Sequence, residues 1–208
     1  MKMKKSYWYV FFLLLIVVAF YFDKLIIQGF SLIRNSTLSQ ILLALTWITN
    51  EIIVFVFLTL MLFYGAKKKW IIPLWATFAV AFVVGIFLKI VTQRLRPFQQ
   101  GLLATLPELA KMSHFAWNLS FPSFTTMIMF CTLPVIAKQY PKLKKTWLVL
   151  AVIVALTRVY FGLHFMSDVI AGGLIGYLIG IWIIKLETNK KYFDKFTKKV
   201  KKLFRKFT

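Results

Sequence analysis

The chain has 208 residues, 60% of them hydrophobic, with a mean hydropathy of +0.76 and a formal net charge of +21. Apolar content at this level, gathered in long uncharged runs, excludes an ordinary soluble domain, and the absence of strand-like alternation excludes a membrane β-barrel. The positive charge is read as the cytoplasmic charge of a membrane protein, with no role for nucleic acid.

Lys2, Lys4 and Lys5 precede the apolar run 7–22. No small-residue cleavage site follows, so the run is read as a retained first transmembrane helix. Residues 23–40 form a polar-apolar connector with room for a short amphipathic piece. The second span, 41–66, carries Asn50 and Glu51, which at depth have to face other helices or a wet cavity. The third, 70–90, is interrupted near its start by Pro73 and ends at Lys89. Residues 91–121 are the longest non-spanning segment and hold Arg94, Arg96, Glu108, Lys111 and His114. A loop of that length in a compact domain is usually functional.

The fourth span, 122–137, is short and broken by Pro134. The fifth begins at 146–157 and the sixth covers 169–184. Gly172, Gly176 and Gly180 recur every fourth residue and are read as a stripe of close helix packing. Cys131 is the single cysteine and is read as a small core residue. In the tail, Tyr192, Phe193, Phe196, Val200, Leu203, Phe204 and Phe207 oppose a lysine face, the pattern of an amphipathic helix on an anionic inner leaflet. The expected fold is all-α: a six-transmembrane-helix bundle over residues 1–188 and a basic cytoplasmic tail over 189–208.

With both termini inside, most of the 27 Lys and Arg residues lie on the inner side, as the positive-inside bias requires. Lys89, Arg94, Arg96 and Arg158 fall at the outer boundary, where orientation does not explain them. Three polar stretches converge there. Lys89 and Arg96-Pro97 are two helical turns apart. Ser120-Phe121-Pro122-Ser123 precedes a span, where Ser120 could cap and Pro122 suits a first turn, making a helix N-terminus able to bind an anion. Arg158, His164 and Asp168 follow, with His164 and Asp168 spaced to share a helical face, so that the carboxylate orients the imidazole. Cations, N–H groups and an oriented imidazole suit a phosphate, attacked in line by the histidine. No carboxylate cluster or Cys/His set offers a metal site, so metal-independent chemistry without a cofactor is expected.

These motifs resemble the type 2 phosphatidic acid phosphatase superfamily of membrane lipid phosphatases. Its pattern is Lys-x6-Arg-Pro, Pro-Ser-Gly-His and Ser-Arg-x5-His-x3-Asp. Lys89-x6-Arg96-Pro97 matches in full, and Thr157-Arg158-x5-His164-x3-Asp168 matches with Thr for Ser. The resemblance implies that His164 is a nucleophile forming a phosphohistidine, that Asp168 orients it, and that Lys89, Arg96, Ser123 and Arg158 hold phosphate.

The middle motif departs from the pattern, with Phe124-Thr125 where the family has Gly-His. Phe124 sets a bulky side chain where backbone approaches phosphate, although its N–H can still donate. Thr125 cannot replace the family's acid histidine near neutral pH. Three consequences stay open: an impaired enzyme that binds or transports a lipid phosphate, a preference for diphosphates whose leaving group needs little protonation, or replacement of the acid by His114. The substrate implied is a lipid phosphate or diphosphate, with a polyprenyl diphosphate favoured over phosphatidylglycerophosphate and phosphatidate. A phosphotransferase passing the phosphoryl group to a lipid acceptor is a further reading.

Overall fold

The computed structural model describes residues 5–106, 109 and 119–204, with side chains between 14 and 198 of that range. His114, Glu108 and Lys111 lie outside the described residues. Every regular element among those described is helical. The main helices are α1 (Lys5–Leu32), α2 (Ser36–Ile48), α3 (Glu51–Tyr64), α4 (Ile71–Thr92), α5 (Phe124–Gln139), α6 (Lys144–Tyr160), α7 (Met166–Lys190) and α8 (Tyr192–Phe204). Short 3-10 turns, Lys68–Trp70 and Pro141–Leu143, lead into α4 and α6.

The bundle is built around α5. It is apolar on all sides, and Met127, Ile128, Met129, Cys131 and Ile136 are almost fully buried, as a helix enclosed by others requires. Its closest neighbour is α7. A Cβ added at Gly172, Gly176 or Gly180 would lie 2.5, 2.2 and 2.2 Å from the carbonyl oxygens of Ser123, Met127 and Cys131. The glycine stripe on α7 is therefore a groove that receives the backbone of α5, and only hydrogen fits there. Cys131 is a core residue, as its neighbours in the sequence suggest. The outer surfaces of α1, α3, α4 and α6 carry exposed Leu, Val, Ile and Phe side chains. That outward apolar face marks a bundle solvated by lipid, a multi-pass membrane protein.

Several boundaries differ from those expected. Among the described residues, three helices are long and apolar enough to cross alone: Leu14–Leu32 of α1, α4 with its leading turn, and α7. The bent pair of α2 and α3 makes a fourth if counted as one span. At 16 and 17 residues, α5 and α6 extend about 24–26 Å, less than a bilayer core of about 30 Å. The second span is not one helix. It breaks at Thr49–Asn50 with a bend of 56°, because Asn50 turns out of the helix and its side chain caps Ile52 N at 3.0 Å. The connector after residue 22 is largely helical: α1 continues to Leu32, and α2 starts after Asn35, which caps Leu38 N at 2.8 Å. Pro73 and Pro134 interrupt neither of their helices. Pro73 falls in the first turn of α4, where no N–H bond is lost, and α5 runs through Pro134.

Antiparallel neighbours give the bundle two unlike ends. One end gathers the C-termini of α4 and α6 with the N-termini of α5 and α7. The other gathers Lys67, Lys68, Lys69, Lys138, Lys144 and Lys145. All three polar stretches singled out above meet at the first end.

Candidate active site

Helix α4 ends where Gln93 adopts a left-handed conformation, φ 46°, so the chain turns sharply after Lys89 and brings Arg94 and Arg96 back over the bundle. Lys89 is buried, and its Nζ donates to the Leu119 carbonyl. Ser120 then ties three segments together. Its N–H donates to the Arg94 carbonyl at 2.6 Å, its hydroxyl donates to Asp168 Oδ2 at 2.5 Å, and its carbonyl accepts from His164 Nδ1 at 2.7 Å.

His164 sits in the short turn between α6 and α7. Gly162, at φ 68°, allows that turn, and the N–H groups of Leu163 and His164 both reach the Arg158 carbonyl, at 3.0 and 3.2 Å. With Nδ1 donating to Ser120, Nε2 is left as the basic nitrogen. Burial, together with the nearby Arg96 and Lys89 cations, holds the imidazole well below its usual pKa; the bond to Ser120 opposes this only in part. His164 is thus neutral, the form that can attack an electrophile.

Asp168 does not bond His164 directly: the closest approach is 3.9 Å. Helix α7 starts at Met166, so His164 lies before the helix and the shared helical face expected from the spacing does not exist. Asp168 instead accepts from Phe165 N at 2.8 Å and from Arg94 Nη1 at 2.6 Å, besides Ser120. It acts on His164 through Ser120. Arg94 also donates to Ser167 at 2.7 Å and to Asp23 at 2.7 Å, with its guanidinium between the rings of Phe20 and Phe165. Asp23, deep in α1, accepts from Ser167 N at 3.0 Å as well. Asp23 and Arg94 therefore support the site, and neither was singled out by motif spacing. One signal was present: a carboxylate inside an apolar helix is rarely idle.

A cavity of about 780 Å³ opens beside His164. Its polar lining includes Lys89, Arg96, Arg158 and His164, together with Asn50, Glu51 and Thr125. Arg158 Nε and Nη2 are buried without a hydrogen-bond partner among the described residues. Burial and the neighbouring Arg158 lower the pKa of Arg96 to about 10, which leaves it charged at neutral pH. Such a concentration of buried cations favours an anion. The rest of the wall is apolar: Ile52, Phe55, Trp75, Phe78, Phe82 and Phe124. Of these Ile52, Trp75 and Phe82 are also exposed on the lipid-facing surface of α3 and α4, so the cavity runs from the cations to the side of the bundle.

The middle stretch is arranged differently from expectation. Helix α5 begins at Phe124 with Ser123 as its cap residue, so neither Ser120 nor Pro122 opens the helix. Ser123 is buried behind the cavity wall. Its hydroxyl pairs with Thr126 at 3.0 Å and its N–H donates to the Asp168 carbonyl at 3.0 Å. The Phe124 ring packs edge-on to Phe82, centroids 6.1 Å apart, in space left by Gly85. Thr125 donates to Glu51 Oε1 at 2.5 Å. Among the described residues, no three His, Cys, Asp or Glu side chains gather in a metal-binding group.

The pattern of the PAP2 superfamily matches residues 69–192. The chain is 33% identical over 106 residues to the bacitracin transport permease protein BcrC of Bacillus licheniformis, covering 51% of this chain and 50% of that protein, so it spans about half of that relative's length. It is 28% identical over 202 residues to the undecaprenyl-diphosphatase of Sulfolobus acidocaldarius, covering 90% of this chain and 94% of that protein. The phosphatidylglycerophosphatase B of Bacillus subtilis is 29% identical over 170 residues, 76% of this chain and 79% of that one. Among solved structures, a PAP2-type phosphatidylglycerolphosphate phosphatase from Bacillus subtilis aligns with a TM-score of 0.68 at 25% identity, over 87% of this chain and 94% of that one. LpxE of Aquifex aeolicus aligns at 0.64 and 25% identity, over 76% and 92%. Sequence pattern and bundle architecture agree on one assignment: the chain belongs to the PAP2 superfamily.

Proposed function

We propose that this protein hydrolyses the phosphate or diphosphate headgroup of a membrane lipid through a phosphohistidine on His164. The observation that carries the reading is the neutral, Ser120-held imidazole beside buried cations, one of which, Arg158, has two nitrogens without partners among the described residues. Lys89, Arg96 and Arg158 neutralise the phosphoryl oxygens while Nε2 attacks phosphorus opposite the leaving oxygen. Asp168 and Ser120 fix the ring. Water then attacks the phosphohistidine and releases phosphate. Phe124 contributes an apolar wall, and its backbone N–H at the start of α5 is a further donor toward the anion.

The apolar half of the cavity, open between α3 and α4, suits the chain of a lipid whose headgroup lies at the cations. A diphosphate is favoured, since its phosphate leaving group needs less protonation than an alkoxide where Thr125 stands for a histidine. A polyprenyl diphosphate fits best, followed by phosphatidylglycerophosphate and phosphatidate. The relatives named for diphosphate and phosphoglycerol substrates support this range. The lysine-rich end marks the cytoplasmic side by the positive-inside bias, which sets both termini inside and the site on the outer face. Residues 1–188 then form the membrane domain, and the tail from 189 lies on the anionic inner leaflet.

Phosphate release from a polyprenyl diphosphate and from phosphatidate, by the purified protein in vesicles, tests the proposal. His164→Ala is expected to lower both rates at least about 10³-fold. Release that persists in His164→Ala overturns the mechanism. The substitution at Thr125 favours a second reading, a lipid-phosphate binding or transport protein. Binding of these lipids without any His164-dependent release would establish that one instead.

A further inference from the structure

We propose that Glu51 and Thr125 form a proton relay to the leaving group and so replace the acid that the middle motif lacks. The inference rests on the hydrolase reading. Glu51 lies outside the matched segment 69–192, on a helix that the family motifs do not include. It reaches the cavity because the chain breaks between α2 and α3 and starts α3 there, with Asn50 as cap and Glu51 as its first residue. Thr125 is the second residue of α5 and occupies the position of the missing histidine. The two side chains meet at 2.5 Å and line the same cavity as His164, Lys89, Arg96 and Arg158. Both groups sit on the first turns of their helices, so the contact joins two regular elements. Glu51 turns its charge toward the cations of the cavity, and the contact that its Oε1 makes is with the Thr125 hydroxyl.

A threonine hydroxyl is too weak an acid to protonate an alkoxide by itself, but it passes a proton it receives. In the first half-reaction the bond between His164 Nε2 and phosphorus forms and the bond from phosphorus to the leaving oxygen breaks. The leaving oxygen takes the electron pair and the Thr125 hydroxyl proton, while the Thr125 oxygen takes a proton from the Glu51 carboxyl. In the second half water attacks phosphorus, the nitrogen–phosphorus bond breaks, and the water proton returns through Thr125 to the Glu51 carboxylate. The pair ends as it began.

The test uses two esters that differ in their demand for a proton. Phosphatidate releases an alkoxide, whereas 4-nitrophenyl phosphate releases a phenolate that departs unprotonated. Turnover of each is measured in mixed micelles for the full chain and for Glu51→Gln, Thr125→Val, Thr125→Ser and His164→Ala. Glu51→Gln and Thr125→Val are expected to lose about 10²-fold or more on phosphatidate and less than about tenfold on the aryl ester. Thr125→Ser, which keeps the hydroxyl, is expected to stay within about tenfold of the parent on both. An equal loss on the two esters, no loss on phosphatidate, or a Thr125→Ser variant as poor as Thr125→Val overturns the relay. Thermal unfolding in detergent is measured for each variant first, so that an equal loss is read only on folded protein. If the parent's turnover does not depend on His164, the hydrolase reading falls first; if it does while the variants respond equally, only the relay falls.

Discussion

His164, the nucleophile proposed above, shows how much of an imidazole's character is made by its surroundings. Motif spacing marks it together with Lys89, Arg96, Arg158 and Asp168, because those distances along the chain are short and fixed. What holds the ring is not in the spacing. The partner of Nδ1 is the backbone carbonyl of Ser120, a group every residue carries, and the carboxylate acts from one residue further away. Burial and the Arg96 and Lys89 charges keep the imidazolium disfavoured, so the free protein should hold a neutral ring well into mildly acidic solution. The sign is testable. In protein carrying 15N-labelled histidine, the His164 resonances should titrate below the ordinary value of about 6.5. Arg96→Gln removes a cation facing the ring and should move that midpoint upward. A midpoint that stays put or falls would show that Arg96 does not act on His164.

The helices are positioned by contacts of two kinds, apolar grooves and buried polar ties. The groove between α5 and α7 was legible from the fourth-residue repeat of glycine, and its depth can be measured. Gly176→Ala places a methyl carbon 2.2 Å from the Met127 carbonyl oxygen, so α5 and α7 must separate. The expected loss is about 1–3 kcal/mol, seen as a lower midpoint of thermal unfolding in detergent. Gly29 has nothing within 4 Å of such a carbon, so Gly29→Ala should be neutral or gain up to about 1 kcal/mol from helix propensity. If both changes behave alike, the groove is not what joins the helices. The polar ties were not legible. Asp23 on α1 and Arg94 after α4 are 71 residues apart, and nothing periodic links them. The bend between α2 and α3 was hidden for another reason. Hydropathy across Thr49–Asn50 stays high enough to read as one span, and only the capping chemistry of Asn50 ends it.

The molecule gathers the motif residues at one end and a cluster of lysines at the other, and the orientation proposed above predicts what a cell surface would reveal. Gln100 lies four residues after Arg96 at the site end, whereas Lys142 lies in the basic turn between α5 and α6. Cys131 is fully buried and should not react. An impermeant maleimide applied to intact cells should therefore label Gln100→Cys, and should label Lys142→Cys only after permeabilisation. The reverse pattern would turn the site to the cytoplasm. Helix type and the motif end of the bundle could be read along the chain, since both depend on short spacings. The number of crossings could not, because α5 and α6 are shorter than the bilayer core and hydropathy alone does not tell a short crossing helix from an enclosed one. The lateral opening between α3 and α4 carries a kinetic consequence. A lipid that enters there arrives by diffusion in two dimensions, so the concentration that governs its encounter is its mole fraction in the membrane. Spreading a fixed amount of substrate over more inert lipid then slows turnover, although nothing in the bulk solution has changed.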